Sequence, residues 1–144
     1  MTETRSERVR LVAERARGAC EYCRSLVLYS TQSFSIEHIV PLYKGGSSDL
    51  ENLAFSCQGC NGHKYTKTEA RDPATGLLVP LFHPRLQRWR ENFVWSNDFT
   101  EILGVTPTGR ATVEALHLNR VGLVNLRGLL YAAGVHPRPE ASED

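Results

Sequence analysis

No stretch of this 144-residue chain approaches the roughly 18 apolar residues that a membrane span needs, and its start, M-T-E-T-R-S-E-R-V-R, lacks the apolar core of a signal peptide. The expectation is a soluble, cytoplasmic protein with no membrane partner. Charge of one sign is not in excess overall: the formal net charge is +1, which says little about partners, since nucleic-acid-binding domains are often strongly basic. Internal repeats and low-complexity runs are absent. Cysteine is limited to four residues, all in two C-x-x-C steps, and in a reducing compartment a metal explains such pairs better than two disulfides.

What is present is ordinary in amount and uneven in distribution. With 41% hydrophobic and 23% charged residues the chain can bury one core, and its length suits one structural domain with a C-terminal elaboration. Residues 1–60 carry 7 basic and 7 acidic side chains, residues 61–90 carry 6 and 2, and residues 91–144 carry 4 and 7. The basic excess is therefore Lys64, Lys67, Arg71, Arg85, Arg88 and Arg90. A face that contacts phosphates would draw on such residues, as would any solvated surface.

Local signals divide the chain into short elements of an α+β fold. Thr4 with Glu7 has capping-box spacing, and Val9, Val12, Ala13 and Ala16 then follow a helical period that Gly18 stops. Residues 24–30 and 33–40 are rich in β-formers and predict a hairpin. K-G-G after Pro41 signals a turn, and Ser48 with Glu51 marks a second cap. A helix is expected from about Asn61 to Ala70, ended by D-P-A-T-G. L-L-V-P-L-F reads as a strand, F-V-W-S and T-E-I-L-G-V as a hairpin around Asn97 and Asp98, and helices are expected from Thr108 and over Val121–Ala133.

Cys20-x-x-Cys23 and Cys57-x-x-Cys60 set two thiolate pairs in tight turns, and four sulfurs can close a tetrahedron around Zn²⁺. The 33 residues between the pairs are too many for a simple zinc ribbon, so a substantial insert is expected. A closed Cys₄ site has no open position, so this zinc should hold the fold and not do chemistry. A redox dithiol role is disfavoured because no thioredoxin-like βαβ pattern surrounds either pair.

The insert runs E-H-I-V-P-L-Y-K-G-G-S-S-D-L-E-N-L-A-F-S before C-Q-G-C-N-G-H-K. With the flanking cysteines, this constellation from Cys20 to Lys64 closely resembles the HNH endonucleases, in the branch whose ββα-metal unit is braced by zinc. The resemblance implies a catalytic unit over residues 1–76, an extension over 77–136 that packs on it, and a loose tail at 137–144. It implies a hydrolase of phosphodiester bonds in DNA, RNA not being excluded. His38 would be the general base, Asn52 the residue that holds its loop, and Glu37 with Asn61 the oxygen ligands of a catalytic Mg²⁺ or Mn²⁺. His63 is the alternative to Asn61 as third residue of the site, as metal ligand or phosphate contact. Lys64, Lys67, Arg85, Arg88 and Arg90 are the expected nucleic-acid contacts. Because neighbours on a strand face opposite ways, Glu37 and His38 must sit at a strand end. Trp89, Phe93 and Trp95 read as core between extension and catalytic unit. A non-catalytic, zinc-stabilised DNA-binding module that keeps the HNH fold is the competing reading.

Overall fold

A computed structural model of the chain describes residues 4–140; the end of the expected tail, 141–144, lies outside the described residues. Its contacts divide the chain into two units. One comprises the residues up to Thr68 together with His83–Arg85, the other Glu69–Phe82 and the residues from Leu86 onward. Among the described residues no helix is long and apolar enough to cross a membrane.

The first unit opens with helix α1 (Arg5–Arg15), started by the capping box that Thr4 and Glu7 form. Gly18, at φ +70°, turns the chain out of it, a conformation that costs glycine little. Val12 on α1 is wholly buried and meets Leu53 and Phe55, with Phe34 and Ile36 packed beside them. Strand β1 (Phe34–His38) pairs antiparallel with β2 (Leu53–Cys57), Glu37 opposite Ala54 and His38 opposite Leu53. Phe34 and Ile36 alternate with Ser35 and Glu37, so the apolar pair meets α1 while the polar pair turns to the opposite face. Helix α2 (Gln58–Lys64) follows β2 directly, completing a ββα unit.

Two expectations fail here. Residues 24–30 form no strand: Leu26 makes only an isolated bridge with Ala19, and Val27–Tyr29 is a single 3₁₀ turn, so β1 finds its partner beyond the insert. The β-forming composition is overridden by the tight turn of the first cysteine pair, where the Cys20 amide donates to Ser25. The helix expected to reach Ala70 spans only Gln58–Lys64, because Tyr65 leaves helical geometry.

In the second unit D-P-A-T-G is the turn of a hairpin joining β3 (Glu69–Arg71) and β4 (Leu78–Pro80). Asp72 holds that turn, accepting from the Ala74 amide at 3.0 Å and the Thr75 hydroxyl at 3.0 Å, and pairs with Arg110. After the short helix α3 (Trp89–Asn92), strands β5 (Phe93–Trp95) and β6 (Ile102–Gly104) form the expected hairpin. Helices α4 (Pro107–Leu116) and α5 (Val121–Ala132) also fall where their periodicity placed them. Gly104 and Gly109 let β6 and α4 touch: a Cβ on Gly104 would stand 2.3 Å from the Arg110 nitrogen. Trp89 and Phe93 pack with tilted rings, centroids 5.1 Å apart, in the core of this unit, with Phe82 edge-on to Phe93 at 5.3 Å.

Candidate metal centre and active site

The first pair of thiols sits in the turn after α1, the second at the junction of β2 and α2, where Cys57 caps the helix by accepting from the Cys60 amide. All four cysteines are buried, and their sulfurs lie within 4.8 Å of one another, with Cys23 and Cys57 3.7 Å apart. That separation is far beyond an S–S bond. It matches the edge of a tetrahedron of sulfurs about 2.3 Å from a central ion, about 3.8 Å. Burial pushes the Cys20 thiol up, while hydrogen bonds from its neighbours, Cys20 foremost, pull Cys23 down. A dication would hold all four as thiolates in one closed shell. The donor set fits structural zinc.

His38 is the last residue of β1 and is partly exposed beside the buried Glu37. Its Nε2 lies 3.0 Å from the Ser48 hydroxyl. The loop that follows is held by Asn52, 8% exposed. Its Oδ1 accepts from the Val40 amide at 2.9 Å, and its Nδ2 donates to the carbonyls of Val40 at 2.9 Å and Ser47 at 2.7 Å. One side chain thus closes the loop on both sides of the K-G-G turn. Gly46 is obligatory there, since a Cβ would lie 1.9 Å from the Val40 carbonyl oxygen and 2.8 Å from Asn52 Nδ2. Gly45, at φ +93°, supplies the left-handed step.

Glu37 is placed differently from the ligand that the resemblance implied. It is 6% exposed; one oxygen accepts from the Tyr22 hydroxyl and the other from Lys64 Nζ at 3.2 Å. Burial raises its pKa, opposed by the Lys64 charge and the Tyr22 hydrogen bond. Lys64 itself is 1% exposed and also donates to the Ile39 carbonyl at 2.8 Å, so the expected phosphate contact is instead an internal cation. Asn61 stands partly exposed on α2, its amide nitrogen 3.4 Å from the Ser35 hydroxyl. His63 is partly exposed near the end of α2, and Lys67 is exposed with its ammonium on the His63 carbonyl. An open cleft brings together Glu37, His38 and Asn61, with Tyr43, Tyr65 and Thr66 on its walls.

Oxygen donors from a carboxylate and an amide are the right kind for Mg²⁺ or Mn²⁺. As arranged they do not fit a dication, because the only anionic donor of the pair already holds an ammonium.

Arg85 is also redirected. Its guanidinium forms an ion pair with Glu21, itself 5% exposed and accepting from the Phe55 amide at 2.8 Å, so Arg85 braces the first cysteine turn from a position 64 residues away. Arg88 and Arg90 are exposed. His83 is half-buried, its Nδ1 accepting from the Arg85 amide at 3.2 Å, and burial lowers its pKa. Sequence reasoning missed Tyr22, Glu21 and Ser48. The first two carried only the signal of sitting between two metal-binding cysteines, and Ser48 read as a helix cap.

A two-stranded antiparallel sheet followed by a helix, with four buried thiols clustered for one metal ion, defines a zinc-site ββα unit. Residues 20–67 match the family described as HNH endonuclease, and this part of the chain is an HNH domain. The chain is also similar to the Septu protein PtuB of Bacillus thuringiensis, with 26% identity over 112 residues; the match covers 75% of this chain and 39% of the relative. The chain thus matches well under half of that relative's length. No solved structure matches it.

Proposed function

We propose that this protein is an endonuclease that hydrolyses phosphodiester bonds of DNA, with His38 as general base. The observation that carries the reading is the placement of His38 at the strand end, where Ser48 and the Asn52-held loop orient it beside Asn61 in an open cleft. The imidazole there takes a proton from water as the water attacks phosphorus in line with the leaving oxygen; the opposite P–O bond breaks, and the leaving oxygen takes its proton from solvent. Asn61 holds the phosphate or its water by its amide. A divalent cation bound in such a site would neutralise charge at the phosphate. Exposed Lys67, Arg88 and Arg90 supply backbone contacts, which set affinity and not chemistry.

The second reading, a zinc-stabilised DNA-binding module without turnover, is favoured by one observation: the Glu37 carboxylate is neutralised by Lys64. One experiment separates the two. Supercoiled plasmid, linear duplex, single-stranded DNA and RNA are incubated with purified protein in EDTA, Mg²⁺ or Mn²⁺, beside His38→Ala. Cleavage by the parent that falls by about 10²-fold or more in His38→Ala, with zinc content unchanged, supports the nuclease. Binding without cleavage under every condition supports the module.

A further inference from the structure

The cleft beside His38 is walled by two tyrosines whose exposure has no structural use. Tyr43 is 73% and Tyr65 74% exposed, and both line the same opening as His38 and Asn61. Tyr65 stands immediately after α2 at φ 51°, ψ −118°, a region that a bulky side chain occupies only under strain. A glycine or asparagine would end the helix at lower cost. The strain presents a ring to the cleft mouth. The two segments are tied together, since Lys44 Nζ donates to the Thr66 carbonyl at 2.9 Å and lies 5.8 Å from the Tyr43 ring centroid.

Among the described residues, no lysine or arginine lines this cleft. Lys64 below it is buried against Glu37, and the exposed Lys44 hydrogen-bonds the Thr66 carbonyl at the cleft edge. What the walls of the cleft themselves offer beside His38 and Asn61 is aromatic surface. Aromatic rings stack on base faces without regard to sequence, and base faces are available only where the bases are unstacked. In a duplex they are covered.

We infer that Tyr43 and Tyr65 form a stacking clamp for unpaired bases next to His38, which makes the preferred substrate a single-stranded or locally unpaired segment and not intact duplex. This rests on the nuclease reading for the chemistry and on the two rings alone for the preference.

The test measures binding in the His38→Ala protein, so that no substrate is consumed. A short fluorescein-labelled single strand and the matching blunt duplex are titrated by anisotropy at fixed salt. The expected result is tighter binding of the single strand, weakened about tenfold or more by Tyr43→Ala and by Tyr65→Ala and preserved within about twofold by the phenylalanine variants. Duplex binding should change by less than about twofold. Unfolding midpoints and zinc content of each variant guard against misfolding, and Tyr43→Ala carries the test if Tyr65→Ala does not fold. Equal affinity for both nucleic acids, or single-strand binding unmoved by either alanine variant, overturns the clamp even if the parent protein cleaves DNA. Failure of the nuclease reading looks different: no cleavage by the parent, with the single-strand preference intact.

Discussion

Lys64 and Glu37, on α2 and β1, form an ion pair that is almost wholly withdrawn from water, at 3.2 Å and with side-chain exposures of 1% and 4%. Tyr22 closes the other carboxylate oxygen and the Ile39 carbonyl takes a second Lys64 proton, so each charge is answered by hydrogen bonds as well as by its partner. The cluster links the first cysteine turn, the strand that ends in His38 and the helix that begins after Cys57. Such a pair adds little net stability, but losing one member strands a buried charge.

Lys64→Met should therefore destabilise the first unit by about 3–5 kcal/mol, and the double variant Glu37→Gln with Lys64→Met by less than the sum of the single effects. Urea unfolding of the four proteins measures both. A Glu37→Gln protein with parental stability, altered only in the metal concentration it needs for cleavage, would return Glu37 to the role of a ligand.

Asn52→Ala leaves the Val40 amide and two carbonyls without their partner in a loop that Gly46 keeps tightly packed. The expected loss is about 1–3 kcal/mol of stability, the cost of unsatisfied buried polar groups. Cleavage should fall further than stability does, since the loop that places Ser48 against His38 is released. Parallel losses in the two measurements would make Asn52 a purely structural residue.

The four thiols predict one tightly held zinc per chain. Cys57→Ser should abolish it and loosen the ββα unit, because the sulfur is at once a metal donor and the cap of α2. Elemental analysis of protein purified without chelator reads the zinc, and far-ultraviolet circular dichroism the fold. Parental zinc content in the serine variant would remove Cys57 from the site.

Asp72 in the second unit should make that unit acid-labile. The Arg110 guanidinium foremost, aided by the Ala74 amide and Thr75 hydroxyl, holds its carboxyl well below the ordinary value of 3.8. A depressed folded pKa means that the contribution is fully present above the unfolded value and is lost as pH falls below about 4 toward the lower folded one. Arg110→Ala should lower stability at neutral pH and flatten its decline below pH 4. Fluorescence of Trp89 and Trp95, both in this unit, follows the unfolding. An unchanged acid slope in the variant would show that Asp72 is not the responsible group.

Cysteine spacing and turn chemistry determined by themselves the tight turns of the two thiol pairs, the capping box at Thr4, the hairpin around Asn97 and Asp98, and the last two helices. These are local signals: each depends on side chains within a few positions of the backbone groups they satisfy. The loop-holding role of Asn52 was implied by the family resemblance, and its hydrogen-bond partners lie in the loop it bounds. Tertiary structure alone decided which charged groups are internal. Lys64 and Arg85 look, in sequence, like their solvated neighbours Lys67 and Arg88, because nothing local announces a carboxylate 27 or 64 positions back. It also decided that β1 pairs across the insert with β2, since a β-forming run cannot specify its partner until a turn or a metal brings one near. The rings of Tyr43 and Tyr65 meet at one cleft for the same physical reason: folding sets distance in space, which sequence separation does not contain.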